Sequence, residues 1–145
     1  MKAKDYLGQV KLLKDKVDSI IEQLETLRDL ATRTTSLPFD VVKVQSTGQN
    51  DKRASIVAKV VDLEQELLIT VEELIDLTAE VITLIDRVPD NAYKLLLMLR
   101  YLNCKTWYKV AEIMDVSLSG VHTMHRKALI EFEKVLQEKE MANNE

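Results

Sequence analysis

Apolar residues recur through the first third of the chain in steps of three and four. Val10, Leu13, Val17, Ile20, Leu24, Leu27 and Ala31 follow one another at this spacing. A 3.5-residue period is a coiled-coil seam, and it predicts one long amphipathic helix over residues 2–35. Gly8 weakens the first turns of that helix. Residues 36–51 break the pattern. Leu37 precedes Pro38 and is biased away from helix. Ser46 to Asp51 reads as a polar turn or mobile segment. Phe39, Val41, Val42 and Val44 suit a short extended piece over a bundle end. A second long helix is expected over 52–88. Val60, Leu67, Leu74, Val81 and Val88 recur every seven residues, and Leu63, Thr70, Leu77 and Leu84 complete the seam. A second row, Val61, Leu68, Ile75 and Ile82, keeps the same interval, with Val57, Val71 and Ile85 between the rows. This face is wider than one partner helix needs. The first helix folded back antiparallel is one neighbour, and a partner chain is the natural second.

Pro89 stops the second helix, and Asp90 is placed to cap the next. Residues 91–102 are apolar on most sides, as in a central helix. Asn103 is a candidate left-handed terminator. Thr106 is expected to cap a helix over 107–114, and Ser117 one from 118 to about 140. Val121, Met124, Ala128, Leu129, Phe132, Val135 and Leu136 give that last helix its apolar stripe. The tail 141–145 is expected to fray. The expected fold is all-α: a long antiparallel coiled-coil hairpin (1–88), then a helix-turn-helix domain (89–140).

The chain has 145 residues, with 3 Gly and 2 Pro, which favours helices over a sandwich or barrel. No apolar run approaches the roughly 20 residues of a membrane span, and the first ten residues carry no apolar signal core. Cys104 is alone, so no internal disulfide forms and a reducing cytoplasm fits. The formal net charge of −4 looks wrong for a DNA binder until it is located. Residues 36–89 hold 5 basic and 10 acidic side chains, whereas 90–134 hold 7 and 5. The weakly basic C-terminal part predicts modest nonspecific affinity for DNA, which dimerisation would strengthen.

The window Trp107 to Arg126 has the residue sizes of a helix-turn-helix. Ala111 is small where the two helices cross, and Val110, Met114, Val116, Val121 and Met124 supply buried positions. Asp115 falls in the turn, where positive φ is required and Asp is tolerated better than most residues. Gly120 is unusual at a helix start, and suits either close approach to a phosphate or a mediocre first turn. In such a unit the second helix turns Ser117, Leu118, Ser119, His122, Thr123 and Arg126 toward the major groove. Ser117, Ser119, His122, Thr123 and Arg126 are the base-reading candidates, with Arg126 suited to a bidentate contact to guanine. Lys105, Thr106, Lys109 and Lys127 are the phosphate candidates. Ordinary bundle packing accounts for the same sizes, and solvation accounts for Arg126 and Lys127. Trp107 reads as a packing anchor, Tyr108 as either anchor or base platform, and His125 as a surface or boundary histidine. His122 and His125 have a metal-compatible spacing, but no Cys or clear carboxylate completes a site. No cofactor, metal or catalytic constellation is expected, and an enzyme is disfavoured.

Arg100-Tyr101-Leu102, Thr106-Trp107, Val110-Ala111-Glu112, Val121-His122 and Arg126-Lys127-Ala128-Leu129 resemble the C-terminal helix-turn-helix of region 4 in sigma-70-type factors. They resemble more closely small phage and prophage proteins of Gram-positive bacteria, of the ArpU and RinA type of transcriptional regulator. Val44-Gln45-Ser46 followed by Asp51-Lys52 is also similar to that group, so the resemblance covers about 44–135. It implies sequence-specific binding of double-stranded DNA and admits a contact with RNA polymerase. One departure stands out. The relatives usually carry acids at one or both of the positions of Tyr108 and Lys109, and one of those acids pairs with the Arg equivalent to Arg100. Lys109 cannot do so here. Glu112 or Asp115 substitutes, or Arg100 faces solvent.

The leading expectation is a phage-type regulator whose hairpin forms a homodimer that delivers two reading units to half-sites about 34–36 Å apart. A protein-interaction module that uses the wide face of the second helix is one alternative. A DNA-packaging recognition subunit of small-terminase type is another.

Overall fold

The computed structural model describes residues 2–35 and 46–144. These are helical almost throughout, with no strand among them. The elements are α1 (Ala3–Thr35), α2 (Ser46–Asp86), α3 (Asn91–Leu97) with a π-helical turn at Met98–Leu102, α4 (Trp107–Met114) and α5 (Leu118–Asn143). No helix among the described residues is long and apolar enough to cross a membrane.

The chain divides into two compact units that cut across the expected boundary at 88/89. One comprises residues 1–13 and 74–145, and the other comprises 14–73. The first contains the main core: both ends of the expected hairpin pack with the C-terminal helices. Ala3, Leu7 and Val10 of α1 and Val81, Leu84 and Ile85 of α2 join Leu96, Leu97, Val110, Val121, Ala128 and Phe132 in one buried cluster. Val88 is fully buried although α2 ends at Asp86. The Ala3 backbone N–H donates to Glu133 at 2.8 Å, and Arg87 pairs with Glu138 at 3.1 Å. Lys139 pairs with Glu80. The Tyr6 ring lies 6.1 Å from that of Phe132, and its hydroxyl is buried with no hydrogen-bond partner among the described residues.

The second unit takes residues 14–35 from α1 and residues 46–73 from α2. Ile20 and Leu24 are buried on α1, and Val17, Leu27 and Ala31 are half-buried, as the seam predicts. From α2, Val60, Leu63 and Leu67 are half-buried. Thr70 is 1% exposed, and its hydroxyl is satisfied by the Glu66 carbonyl at 2.8 Å. Arg28 pairs with Glu64 and Lys16 with Glu66.

Several boundaries differ from expectation. α2 begins at Ser46, so 46–51 is helix, not a polar turn. One Gly near a helix start costs about 1 kcal/mol or less, too little to stop so long a helix. The extended piece suggested for Phe39, Val41, Val42 and Val44 lies outside the described residues. α5 runs to Asn143, so most of the expected frayed tail is helical; Met141, Ala142 and Asn143 contain no helix breaker. α1 passes through Gly8 without interruption.

Candidate nucleic-acid interface

α4 and α5 form the predicted pair of helices. The Thr106 hydroxyl caps α4 by accepting from the Lys109 N–H at 3.2 Å. The Ser117 hydroxyl caps α5 by accepting from the Gly120 N–H at 3.0 Å. Asp90 caps α3 in the same way. Between α4 and α5, Asp115 takes the left-handed conformation (φ 55°). Val116 N–H then bonds the Ala111 carbonyl at 3.1 Å, and Asp115 N–H bonds that of Glu112 at 3.3 Å. These are the two bonds of a Schellman termination, and they satisfy carbonyls that the helix end would otherwise leave open. Gly120 has an ordinary negative φ. Its value is spatial, because a Cβ there would lie 3.1 Å from the Ser117 hydroxyl that makes the cap.

The packing follows the size pattern. Val110 and Val121 are fully buried, and Ala111 is 8% exposed. Met114 and Met124 are half-buried, while Val116 lies at the surface. On α5, Val121, His125, Ala128 and Phe132 face inward. On its other side Ser119, His122, Thr123 and Arg126 are exposed, and intervals of three and four residues place them on one outward stripe. Ser117 is exposed at the head of this stripe, and Leu118 is half-buried. The Thr123 hydroxyl donates to the Ser119 carbonyl at 3.2 Å. Arg126 and Lys127 are exposed and make no ion pair with a described residue. Lys105, Thr106 and Lys109 are exposed around the start of α4. Lys109 lies 3.4 Å from Glu112, an exposed pair that holds it only weakly.

Two features escaped the sequence reading. The first is a clamp on the turn before α4. Residues 98–102 form a π turn, closed by the Asn103 N–H on the Met98 carbonyl at 2.9 Å. Asn103 stays right-handed, and Cys104 takes the left-handed position instead (φ 55°). The widened last turn postpones the reversal by one residue. Arg100 donates to the Lys105 carbonyl at 2.9 Å, and its guanidinium lies 4.4 Å from the centre of the Trp107 ring. It therefore takes neither alternative considered for it. It is half-buried, not free in solvent, and it pairs with neither Glu112 nor Asp115. A backbone carbonyl and an aromatic face are its partners.

The second feature is His125, which is no boundary residue. It is 8% exposed and hydrogen-bonded through Nε2 to the Tyr101 hydroxyl at 2.6 Å. The Trp107 ring meets it edge-on at 4.5 Å and also contacts His122 at 5.0 Å. Burial, with smaller contributions from Lys4, Arg100 and His122, lowers its pKa from 6.5 to about 4. Burial likewise pushes Tyr101 up to about 12, against an opposing effect of Arg100. Trp107 is the packing anchor it was expected to be, and it holds His122 at the surface as a supported ring. Tyr108 beside it is 76% exposed, a large aromatic in the open among Lys105, Thr106 and Lys109. No sequence pattern separates these two adjacent aromatics; only the helix orientation does.

No curated protein and no solved structure matches the chain. Residues 33–133, from the end of α1 into α5, match the family described as "Protein of unknown function (DUF1492)". The match covers more than half of the sequence, and the chain belongs to the DUF1492 family.

Proposed function

We propose that the chain is a sequence-specific, DNA-binding transcriptional regulator of the phage type, acting in the cytoplasm as a homodimer and without chemistry of its own. The observation that carries this reading is the outward stripe of Ser119, His122, Thr123 and Arg126 on α5. It offers hydrogen-bonding groups on one side of a helix whose other side is fixed in the core. Ser117 and Thr106 supply hydroxyls at two helix starts, and Lys105, Lys109 and Lys127 supply positive charge beside them. Site selection from random duplex DNA at stated salt is the direct test. It should enrich a twofold-symmetric sequence. Arg126→Ala should then cost about 1–3 kcal/mol and relax one base position, whereas Lys109→Ala should weaken all sequences about equally. Equal losses on specific and random DNA would remove Arg126 from base reading.

A second reading has one observation in its favour. The row Val61, Leu68, Ile75 and Ile82 is exposed throughout, which suits a protein-interaction module that contacts RNA polymerase or a phage protein. That reading requires no DNA shift even at low salt.

A further inference from the structure

We infer that the outward face of α2 in the hairpin unit, from Ala54 to Glu72, is the contact with a second copy of this chain, packed antiparallel. The inference deepens the dimer part of the proposed function and is independent of its DNA part. Within residues 14–73, Ile20 and Leu24 are the apolar side chains that are buried among the described residues. Two facing helices are a single layer, and stable domains ordinarily bury a second layer against the first. α2 meanwhile exposes Val57 by 54%, Val61 by 45% and Leu68 by 66%. Intervals of four and seven residues put these three on one stripe, and Ala54 precedes it at an interval of three. At 100° per residue, Thr70 in the hairpin seam lies half a turn away from Val61. α1 therefore cannot cover this stripe. It has the spacing of a coiled-coil seam and lacks a partner helix among the described residues.

The charges choose the occupant and its direction. Lys52, Arg53 and Lys59 lie toward the start of α2, and from residue 60 to residue 86 the helix carries eight acids and no base. A parallel copy would lay acid on acid. An antiparallel copy with its twofold axis near residue 62 sets Val57 opposite Leu68 and, beside the stripe, Arg53 opposite Glu72. Both of these charged residues are exposed. Helical charge pairs of this kind fix partner orientation more than they add affinity.

Sedimentation equilibrium of the full chain without DNA tests this, with circular dichroism to verify that each variant keeps its helicity. The wild type should be a dimer, and Val61→Asp with Leu68→Asp should make it a monomer. Glu72→Lys should raise the dimer Kd about tenfold, and Arg53→Glu should do the same. Both changes together should return it to within about threefold of wild type. A wild-type monomer at about 100 µM would overturn the inference, as would an assembly larger than a dimer or a dimer that survives Val61→Asp with Leu68→Asp. Tighter association on Glu72→Lys would also overturn it, because only parallel pairing gains from that change. Failure of DNA binding leaves every one of these outcomes unaltered.

Discussion

Lowering the pH should unfold this protein through one buried imidazole. Burial between Tyr101 and Trp107, reinforced by Lys4, Arg100 and His122, brings the His125 pKa to about 4 in the folded chain, against 6.5 when unfolded. Between these values the unfolded chain takes up a proton that the folded chain refuses. Stability is therefore complete above about pH 7 and falls as the pH drops toward 4. The whole gap corresponds to about 3 kcal/mol, of which about 2 kcal/mol is lost by pH 5. Carboxylates scarcely protonate above pH 5, and comparison with a His125 variant between pH 7.5 and 5 isolates this histidine. The assay is urea unfolding followed by the fluorescence of Trp107, the single tryptophan of the chain, whose ring lies 4.5 Å from that of His125. His125→Gln keeps a hydrogen-bonding group for Tyr101 but cannot take the proton. It should be less stable at pH 7.5 and nearly flat down to pH 5. If the wild type and His125→Gln change in parallel with pH, or if the wild type gains stability on acidification, the buried-imidazole argument is wrong.

Three further outcomes follow from the same core. Tyr101, held up to about 12, should make stability fall by about 2–3 kcal/mol between pH 10 and 12, and Tyr101→Phe should abolish that loss in the same urea assay. Tyr6→Phe should be neutral or stabilising by up to about 1 kcal/mol in thermal unfolding, because it removes a buried hydroxyl that has no partner among the described residues. Ala111→Leu should cost about 1–3 kcal/mol by forcing α4 away from α5, whereas the same change at exposed Glu112 should cost less than about 0.5 kcal/mol.

The elements that the sequence displayed well are those in which a single residue sets a local condition. Asp90, Thr106 and Ser117 cap the three short-range helix starts as their side-chain chemistry requires, and Asp115 accepts the left-handed turn. Ala111 and Val121 bury as their sizes demand. The outward stripe of α5 was legible for the same reason, since helical period divides its inward residues from its outward ones. What stayed hidden depends on tertiary partners. His125 and His122 differ by three positions and read alike, yet one enters the core because Tyr101 and Trp107 close over it. Arg100 reaches the Lys105 carbonyl and the Trp107 ring rather than Glu112 or Asp115. The heptads of α2 gave both rows equal weight, but Thr70 is buried and Leu68 is exposed, because α1 can cover only one side. The start of α2 at Ser46 was masked by residues that favour turns in isolation and that a long helix absorbs.

The π turn at Met98–Leu102 makes the length of this segment countable to the residue. A π turn is an α-helix holding one residue more than its hydrogen bonds need. Loss of one codon here would let the segment relax to ordinary α-helix and remain helical. Residues beyond the turn would keep their register, because the wider turn is what absorbs the extra residue, but those inside it would be re-aimed. Tyr101 would leave His125, and Arg100 would leave the Trp107 ring. A lost codon here therefore reaches the same two contacts as a substitution at Arg100 or Tyr101. The length of these five residues is thus a constraint of the same kind as the identity of those two.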